Sequence, residues 1–502
     1  MELKCHSEEC RDNGTASRVE AARNTERRPR AIPRTCSRLI SAVGLILLAA
    51  THITARLSAT TTPFSLVVQE GDPAPSVVGG TYSRIVSASI DDSGAITFSA
   101  NLAESTIDCG IFIESGGTTQ VLVKAGDAAP GGGTFANFLE VDRAYAVTAT
   151  PPFAYLLFHA TLQGTAATEG IFVVAPDGSI QAIALTGGIS PFGFHYQSFS
   201  SPSLVTLPIG TGAPFNSSTY YAGFVAQMTE NCQSIIIFAY GAGSEFTTAP
   251  SGFLIGKTPP TGFAISRAGS DGTLQASLGS VMNFPSSPGK PVQRVVLFIG
   301  GGAEPEGLSY TGRIGAGVPG GTVKEVLSPP AISSQTIVMV IALKGLPNVL
   351  ASSRAFSGLS PIQSVGDPAP GLHGFKIKSF GPPVANDGQA QPLGPPILPQ
   401  AFASLVGLTH DAQGILTIVV PVSGEPQHNV VLLPRGADAS GQSVTPTNIS
   451  LIKLNNNGTL LFSGSVGAAG SQHLALFQMA GLFDGAAPRA VANVEKSHAL
   501  ER

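Results

Sequence analysis

The chain has no tryptophan and only five cysteines among its 502 residues. Three of the cysteines lie within the first 38 residues, so only Cys109 and Cys232 remain beyond the N-terminal region. Two isolated cysteines do not make a disulfide framework, and the stability of the fold must therefore come from a hydrophobic core. The lack of tryptophan removes the aromatic side chain best suited to stacking on sugars, which disfavours a carbohydrate site without excluding it.

Charged residues are also scarce. They make up 12% of the chain, about half of the usual share of about 25%. Residues 60–502 contain 18 basic and 26 acidic side chains, a formal charge of −8, and have no basic cluster. Because a mildly acidic surface repels phosphate backbones, we expect no nucleic-acid partner.

The residues that are abundant favour strands and turns. Hydrophobic residues make up 43% of the chain, and there are 59 glycines and 38 prolines. Many β-branched apolar residues, many turn formers and few Lys, Glu or Arg indicate an all-β protein.

The first 59 residues differ from the rest. Nine Lys or Arg residues precede an uncharged run at residues 39–50, which as a helix would span about 18 Å, too short for a bilayer core of about 30 Å. A basic lead, a short apolar segment and small residues after it predict a signal peptide, cleaved after Ala55 or Ala59. We therefore expect a protein that is secreted, periplasmic or on the cell surface, with no membrane span in the mature form. A retained signal anchor is the alternative.

A turn sequence recurs along the chain. "VVQEGDPAP" at residues 67–75 is followed by "VKAGDAAPGGGTF" at 123–135 and "SVGDPAPGLHGF" at 364–375. Weaker copies occur at residues 186–188 and 312–323, and a degenerate one at Gly436. The spacing indicates a structural repeat of about sixty residues.

Each repeat reads as four short strands. In the clearest unit the predicted strands are 81–90, 95–102, 110–114 and 120–124, and the next unit has strands at 170–174 and 180–185. The first hairpin has its own signature: "DDSGAITF" at 91–98 and "NNNGTLLF" at 455–462 place Asp or Asn three residues before a glycine and Phe four residues after it. "DAQGILTI" at 411–418 keeps the spacing, with Ile in place of Phe. We interpret the carboxylates as turn formers.

These motifs resemble those of secreted bacterial proteins with tandem NxxGxxxF repeats that alternate with GDPAPGGGTF-like segments. The resemblance covers most of residues 64–480 and is blurred between about 195 and 310. It implies an exported, β-propeller-like protein and no particular activity.

One four-stranded sheet has two apolar faces to cover, so the copies must cover one another. We predict a single β-propeller at residues 60–485, with a disordered tail at 486–502. Crossings between blades are expected at Gly71 and Gly126, near 187, 250 and 315, and at Gly366 and Gly436. This count gives seven blades, with the strand at 64–69 completing the last one. Six or eight blades, or tandem β-sandwiches, are the alternatives.

No residue can be assigned a catalytic, cofactor-binding or metal-binding role from sequence. His159 lies inside an apolar run and is interpreted as a packed sheet residue, while His195, His373 and His410 fall at turns or strand starts. No zinc motif, GxSxG elbow or phosphate loop is present. Calcium binding through carboxylate and carbonyl oxygens is the alternative interpretation of Asp91-Asp92 and of Asn455–457. The irregular segments 201–221 and 386–400 are the candidate specificity loops.

Two functions fit this pattern. The first is a non-enzymatic exported propeller, expected to be a monomer, that binds an unknown protein, glycan or envelope component. The second is a propeller hydrolase or lyase with a site in the central channel. Three or more Asp, Glu, His or Arg side chains that converge there with shifted pKa values would favour an enzyme. A channel of Gly, Ser, Thr and Val would favour the binding protein.

Overall fold

A computed structural model describes most of the chain between residues 64 and 482. The described residues are 64–75, 77–146, 153–207, 219–229, 233–241, 251–256, 261–268, 275–284, 292–299, 306–309, 321–333, 336–354, 359–386, 400–420, 428–432, 436–437, 443–467 and 472–482. The predicted leader (1–59) and tail (486–502), Cys232 and much of the two candidate loops lie outside them.

The described residues form strands in seven sheets, which we number along the chain. Sheet one contains β2 (Thr81–Ile90), β3 (Ile96–Ala103), β4 (Cys109–Ser115) and β5 (Thr118–Lys124). Sheet two contains β6 (Thr134–Ala146), β7 (Phe153–Gln163), β8 (Glu169–Val174) and β9 (Ile180–Leu185). Sheet three contains β10 (Tyr196–Leu207), β11 (Thr219–Met228), β12 (Gln233–Gly241) and β13 (Ser251–Gly256). Sheet four contains β14 (Thr261–Ala268), β15 (Gln275–Phe284), β16 (Val292–Ile299) and β17 (Glu306–Ser309).

The C-terminal half continues the series. Sheet five contains β18 (Val323–Val326), β19 (Ala331–Ser333), β20 (Thr336–Leu343), β21 (Val349–Arg354) and β22 (Ser360–Ser364). Sheet six contains β23 (Ile377–Ala385), β24 (Gln400–Leu408), β25 (Gln413–Val420) and β26 (His428–Leu432). Sheet seven combines β1 (Phe64–Gln69) with β27 (Gly436–Ala437), β28 (Ser443–Val444), β29 (Thr447–Leu454), β30 (Leu460–Val466) and β31 (His473–Met479).

Five sheets are simple four-stranded antiparallel meanders in chain order, and sheet five adds only the short β19 beside β20. Sheet seven has the order β28-β27-β1-β31-β30-β29, so the first of the described strands pairs antiparallel with the last of them. The prediction of an all-β protein built from four-stranded antiparallel units is confirmed. Within the described ranges, no helix has the length and apolar character needed to cross a membrane.

The sheets contact one another through their first strands, except that in sheet five β18 and β19 both pair with β20 and it is β19 that makes these contacts. The contacting pairs, in order, are β2 with β6, β6 with β10, β10 with β14, β14 with β19, β19 with β23, β23 with β29, and β29 with β2. Strands two to four of each meander lie progressively farther from these contacts. This is the architecture of a β-propeller, in which each sheet is a blade.

A group of aromatic rings fills the blades that are best described. In sheet one Tyr82, Phe98 and Phe112 have ring centroids 5.1–5.5 Å apart. In sheet two Phe135, Phe158 and Phe172 repeat the arrangement at 5.0–5.5 Å, and in sheet seven Phe64, Phe462 and Phe477 do so at 5.0–5.6 Å. Edge-to-face and offset contacts at these distances stabilise the core beyond simple burial. The Phe of the NxxGxxxF motif is thus a core residue, as the sequence predicts.

The turns of that motif form as predicted. Asp91 Oδ1 accepts hydrogen bonds from the amides of Ser93 and Ala95, and Gly94 has φ +86°. Asn455 Oδ1 likewise accepts hydrogen bonds from the amides of Asn457 and Thr459, and Gly458 has φ +75°.

The prediction of a third turn of this kind, at "DAQG", is wrong, because the segment forms a different turn. "DAQG" joins the second and third strands of sheet six, whereas the other two join first and second strands. There a 3-10 turn spans Thr409–Asp411 and β25 already includes Gly414. The positive φ angles fall on His410 and Asp411. Spacing alone does not reveal which pair of strands a turn connects.

The Gly-Asp sequence ends the outer strand of one sheet. In three copies the aspartate carboxylate accepts the amide three residues earlier: Asp72 from Gln69, Asp127 from Lys124, and Asp367 from Ser364. The residue after each aspartate then forms a single bridge to the start of the next first strand, for example Pro73 with Thr81.

One predicted crossing is displaced. The crossing expected near residue 250 follows Gly256, because β13 occupies Ser251–Gly256. The crossing expected near 315 falls in 310–320, outside the described residues.

A β-bulge recurs near the start of the first strand of every sheet. The register shifts at residue 83, 136, 197, 262, 324, 378 and between 447 and 450. The bulge is present in sheets three and four, where the sequence repeat is blurred. It increases local twist and turns two consecutive side chains toward the same side.

A second bulge marks the outer strands. It falls at residue 122 in β5, 183 in β9, 255 in β13 and 362 in β22. β1 has the same irregularity at Val67 in its pairing with β31. By this feature β1 is equivalent to the fourth strand of sheets one, two, three and five.

The glycines of "GDAAPGGGTF" allow a direct test of how closely the chain approaches Gln163 at the crossing between sheets one and two. Gly133 has φ +73°, and a Cβ there would overlap the carbonyl oxygen of Gln163 and lie 2.9 Å from the Thr165 side chain. Gly126 has φ +88° but no atom within 4 Å of the Cβ position. We expect Gly133→Ala to lower the free energy of unfolding by about 2–4 kcal/mol, since strain and overlap add.

The matched control Gly126→Ala introduces backbone strain alone and should lower it by about 1 kcal/mol. Urea denaturation of both variants measures the difference. Equal losses would show that the chain does not approach Gln163 closely at this crossing.

Candidate functional site

Charged side chains meet where the first strands of sheets seven, one and two come together. We call this group the charge cluster, and it consists of Ser89, Asp91, Asp142, Arg143 and Lys453. Arg143 Nε donates to Asp91 Oδ2 at 2.6 Å, and Lys453 Nζ donates to Asp142 Oδ1 at 2.7 Å. The Asp91 side chain is fully buried and the other three charged side chains are at most 15% exposed. Each ion pair therefore joins two sheets in a nearly dry environment.

The local sequence positions Asp91. β2 ends at Ile90, so Asp91 opens the turn into β3. One carboxylate oxygen caps that turn through the amides of Ser93 and Ala95, and also accepts the Ser93 hydroxyl. The other oxygen accepts from Arg143 of sheet two. The same side chain thus forms a turn and links two sheets.

Asp142 connects still more of the structure. Its Oδ1 accepts from Ser89 Oγ at 2.8 Å, from the Arg143 amide at 2.9 Å and from Lys453 Nζ. Its Oδ2 accepts from the amide of Leu204 in β10 at 2.7 Å. This carboxylate of sheet two is therefore hydrogen-bonded to sheets one, three and seven.

The bonding pattern limits the chemistry of the cluster. Four ionisable side chains converge, which is the first part of the criterion for a channel enzyme. A general base or nucleophile, however, needs a lone pair that can reach a substrate. All four carboxylate oxygens of Asp91 and Asp142 already accept hydrogen bonds from the protein, and the two cations neutralise the two anions. The arrangement suits structural linkage better than proton transfer.

A network of amide donors extends the cluster. Asp92 accepts from the backbone amide of Asn456 at 2.9 Å and from its side-chain amide at 2.8 Å, and Asn455 Nδ2 donates to the Asp91 carbonyl at 2.9 Å. The side-chain amide of Asn457 donates to the Asp92 carbonyl. The two NxxG turns, from sheets one and seven, thus lock together. These are the residues considered for calcium, and here the Asp92 oxygens are occupied by amide donors.

A second polar group lies between sheets two and three. We call it the His159 clamp, and it consists of Glu140, His159 and Glu169. His159 Nε2 is 3.0 Å from Glu169 Oε2, and Nδ1 is 3.6 Å from Glu140 Oε2. His159 is 4% exposed. Burial alone would lower the pKa of His159, but the hydrogen bonds and negative charge of Glu140 and Glu169 outweigh it and the pKa is raised.

The clamp is not built like a metal site. Its carboxylates sit on opposite edges of the imidazole ring, one on each nitrogen, so the three groups do not converge on a common point. Throughout the part of the chain that the structure describes, no three His, Cys, Asp or Glu side chains are arranged to hold a metal ion.

The other residues singled out from sequence do not come together. His195 Nδ1 bonds to the Gly187 carbonyl at 2.7 Å at the entry to sheet three, while His373 and His410 lie exposed in sheet six. Cys109, in β4, is free and buried, and burial raises the pKa of its thiol, which makes it a poor nucleophile. His159 is a packed sheet residue, as predicted, but its two carboxylate partners were not anticipated.

Sequence reasoning missed most of both groups. Asp142 and Lys453 are 311 positions apart, and no local motif links them. The available signal was the run "EVDR" within a strand of a chain that has few charges. Charged residues in an inner strand need partners, and that need points to neighbouring sheets.

Comparisons with known proteins find one family model and several solved structures that are similar to this chain. Residues 48–206 match the model of a family of unknown function (DUF7453), a stretch that includes β1 and sheets one and two. No curated protein sequence matches the chain. Similar solved structures include the β-propeller domain of the Trilobed protease from Pyrococcus furiosus, with 8% identity, a TM-score of 0.41, and coverage of 80% of this chain and 99% of that one.

Two lectins are also similar. The BP39L lectin from Burkholderia pseudomallei has 13% identity, a TM-score of 0.35, and coverage of 84% and 96% of the two chains. The fucose-specific lectin from Aleuria aurantia has 13% identity, a TM-score of 0.29, and coverage of 71% and 96%. Such identities and scores are too low to transfer a function to this chain.

The charge cluster yields a stability prediction. Arg143→Met removes the cation but keeps much of the aliphatic stem, leaving the buried Asp91 carboxylate without its ion-pair partner. We expect the free energy of unfolding to fall by about 3–5 kcal/mol. The control is Lys378→Met, which breaks the exposed 2.9 Å pair with Asp411 and should cause no measurable change.

Chemical denaturation of the two variants gives the comparison. An Arg143→Met protein as stable as the wild type would mean that the cluster does not link the sheets, and would make Asp91 a candidate reactive group.

Proposed function

We propose that this chain is an exported, non-enzymatic β-propeller that acts as a binding scaffold at the cell envelope or outside the cell. The observation that supports this most directly is the bonding of the charge cluster. Its carboxylate oxygens are occupied by protein donors, so the ionisable groups at the first strands are committed to joining sheets. The export assignment rests on the predicted signal peptide.

The scaffold is proposed to be a closed ring of seven blades. Two features support this reading. The first-strand contacts run from each sheet to the next and return from β29 to β2. β1 also has the bulge of a fourth strand and is bonded on both sides, antiparallel to β31 and parallel to β27. A ring closed by both ends of the chain leaves no sheet face uncovered.

The surface proposed to bind a ligand is formed by the first-strand bulges. Ser83 and Arg84 in sheet one and Gln197 and Ser198 in sheet three are all exposed. Among the described residues none of these four side chains has a hydrogen-bond or ion-pair partner. Their hydroxyl, amide and guanidinium groups can donate and accept hydrogen bonds from a glycan or a protein.

A propeller hydrolase or lyase is the second candidate. The convergence of four ionisable side chains in the charge cluster favours it. It requires one of the carboxylates to exchange a protein donor for a substrate, and Asp142→Asn would then abolish turnover with little effect on ligand binding.

Ring closure can be tested by deletion. Removing residues 60–70 from the mature protein takes away β1, exposes the edge of β31 and uncovers Phe462 and Phe477. We expect loss of cooperative unfolding, measured by circular dichroism on heating. Adding the excised peptide in excess should restore the transition, because β1 contributes only pairing and side-chain burial. A deleted protein that unfolds like the intact one would contradict closure by β1.

The binding surface can be tested with a glycan array probed with the full chain. For any glycan that binds, Arg84→Ala should weaken binding by about tenfold or more, the usual effect of losing a charge-assisted hydrogen bond. Lys124→Ala is the matched control, since it removes an exposed cation from the outer strand of the same sheet. Equal binding by both variants would contradict the proposed surface, and cleavage of the bound glycan would contradict the non-enzymatic assignment.

A further inference from the structure

The His159 clamp joins two blades through backbone amides. Glu169 Oε1 accepts from the amide of Phe199 at 3.2 Å, and Glu140 Oε2 accepts from the amide of Ser201 at 2.9 Å. Both amides belong to β10, the first strand of sheet three, whereas the clamp residues come from β6, β7 and β8 of sheet two. The carboxylates therefore face His159 on one side and the neighbouring blade on the other.

The contact on β10 is made at an irregular point of that strand. The pairing of β10 with β11 shifts between Ser200 and Ser203, and Ser201 has φ +53°, a strained angle for a residue other than glycine. At this bulge the Ser201 amide is bonded to Glu140 of sheet two. The local backbone conformation is thus stabilised by a charge on the adjacent blade.

The state of His159 decides whether the clamp is complete. An imidazolium can donate from both nitrogens, one to each glutamate, whereas neutral imidazole has a single N–H and turns a lone pair toward the other carboxylate. The charged groups that face the ring are Glu140 from β6 and Glu169 from β8. β10 presents backbone amides and the Phe199 ring, whose centroid is 6.2 Å from that of His159. Within the described residues, the only ion pairs of Glu140 and Glu169 are those with His159.

We propose that the His159 clamp is a proton-operated joint between sheets two and three. When His159 is protonated, both glutamates are held in place and fix the Phe199 and Ser201 amides of β10. When His159 is neutral, one carboxylate is repelled, its hold on β10 weakens, and the bulge at Ser201 loosens. The joint therefore adjusts the first strand of sheet three to the acidity of the surroundings.

The direction of the pH response of the joint follows from the direction in which the pKa of His159 is shifted. The pKa of His159 is raised in the folded protein above the ordinary value of 6.5. Its contribution to stability is fully present below that ordinary value and is lost as the pH rises through the raised pKa. The joint is closed in mildly acidic solution and opens toward alkaline pH.

The test follows amide hydrogen exchange of the full chain at several pH values between about 5 and about 9, a range that spans histidine titration. The protection factor of the Ser201 and Phe199 amides should fall by about tenfold or more across this range, the usual effect of losing a charge-assisted hydrogen bond. The Leu204 amide is an internal control, because it belongs to the same strand but is bonded to Asp142 of the charge cluster. Its protection should stay constant.

Two variants separate the joint from general pH effects. Glu140→Gln keeps an oxygen that can accept from Ser201 but removes one charge beside His159, so the loss of protection should move to lower pH. His159→Gln should abolish the pH dependence, while His195→Gln, which removes an exposed histidine of sheet three, should leave it unchanged. If protection at Ser201 does not vary with pH in the wild type, or if Glu140→Gln leaves the transition where it was, the proposal is wrong. These outcomes do not depend on any ligand of the propeller.

Discussion

The hydrogen bonds of the Asp91 carboxylate are the interactions on which both the first turn of sheet one and the contact with sheet two depend. One of its oxygens closes the first turn of sheet one, and the other receives Arg143 from sheet two. A fully buried carboxylate is stable only when donors surround it. Its position therefore requires the turn to be formed and the neighbouring blade to be in place at the same time. Asn455 occupies the equivalent turn in sheet seven and donates to the Asp91 carbonyl, which extends the same coupling in the other direction.

Apolar packing and polar linkage have different roles in this architecture. The aromatic groups of Tyr82, Phe135 and Phe64 supply burial within sheets one, two and seven, and burial is not directional. Many sliding arrangements of one sheet on the next would bury similar areas. Hydrogen bonds such as that from Leu204 to Asp142 select one of them, because they are satisfied at a single register. Only 12% of the residues of this chain are charged, and several of them align neighbouring blades.

The repeat and its turns could be predicted from sequence because both arise from local chemistry. Glycine at positive φ, Asp or Asn as a backbone cap and Phe on the buried face leave a pattern at fixed spacing, and β1, β2 and β9 were predicted with their observed bounds. The blurred region hid its repeat because a bulge accepts almost any residue: Gln197 and Gly262 occupy the structural position that Ser83 has in sheet one. The prediction for the "DAQG" segment failed for the opposite reason. Its spacing matches the motif, but the segment joins the second and third strands of its sheet rather than the first and second.

The two polar groups could not be predicted because their partners are distant in sequence and unremarkable in it. Lys453 and Asp142 are brought together only when the last blade lies beside the first two, so their bond cannot form early in folding. Until the last blade is in place, Asp142 lacks its ion pair with Lys453, and the Asp91 carbonyl lacks its hydrogen bond from Asn455 in the turn of sheet seven. The charged residues thus penalise incomplete assembly more than they add to any one blade. A propeller that depends on such contacts is expected to form its first strands' polar network last and to lose it first.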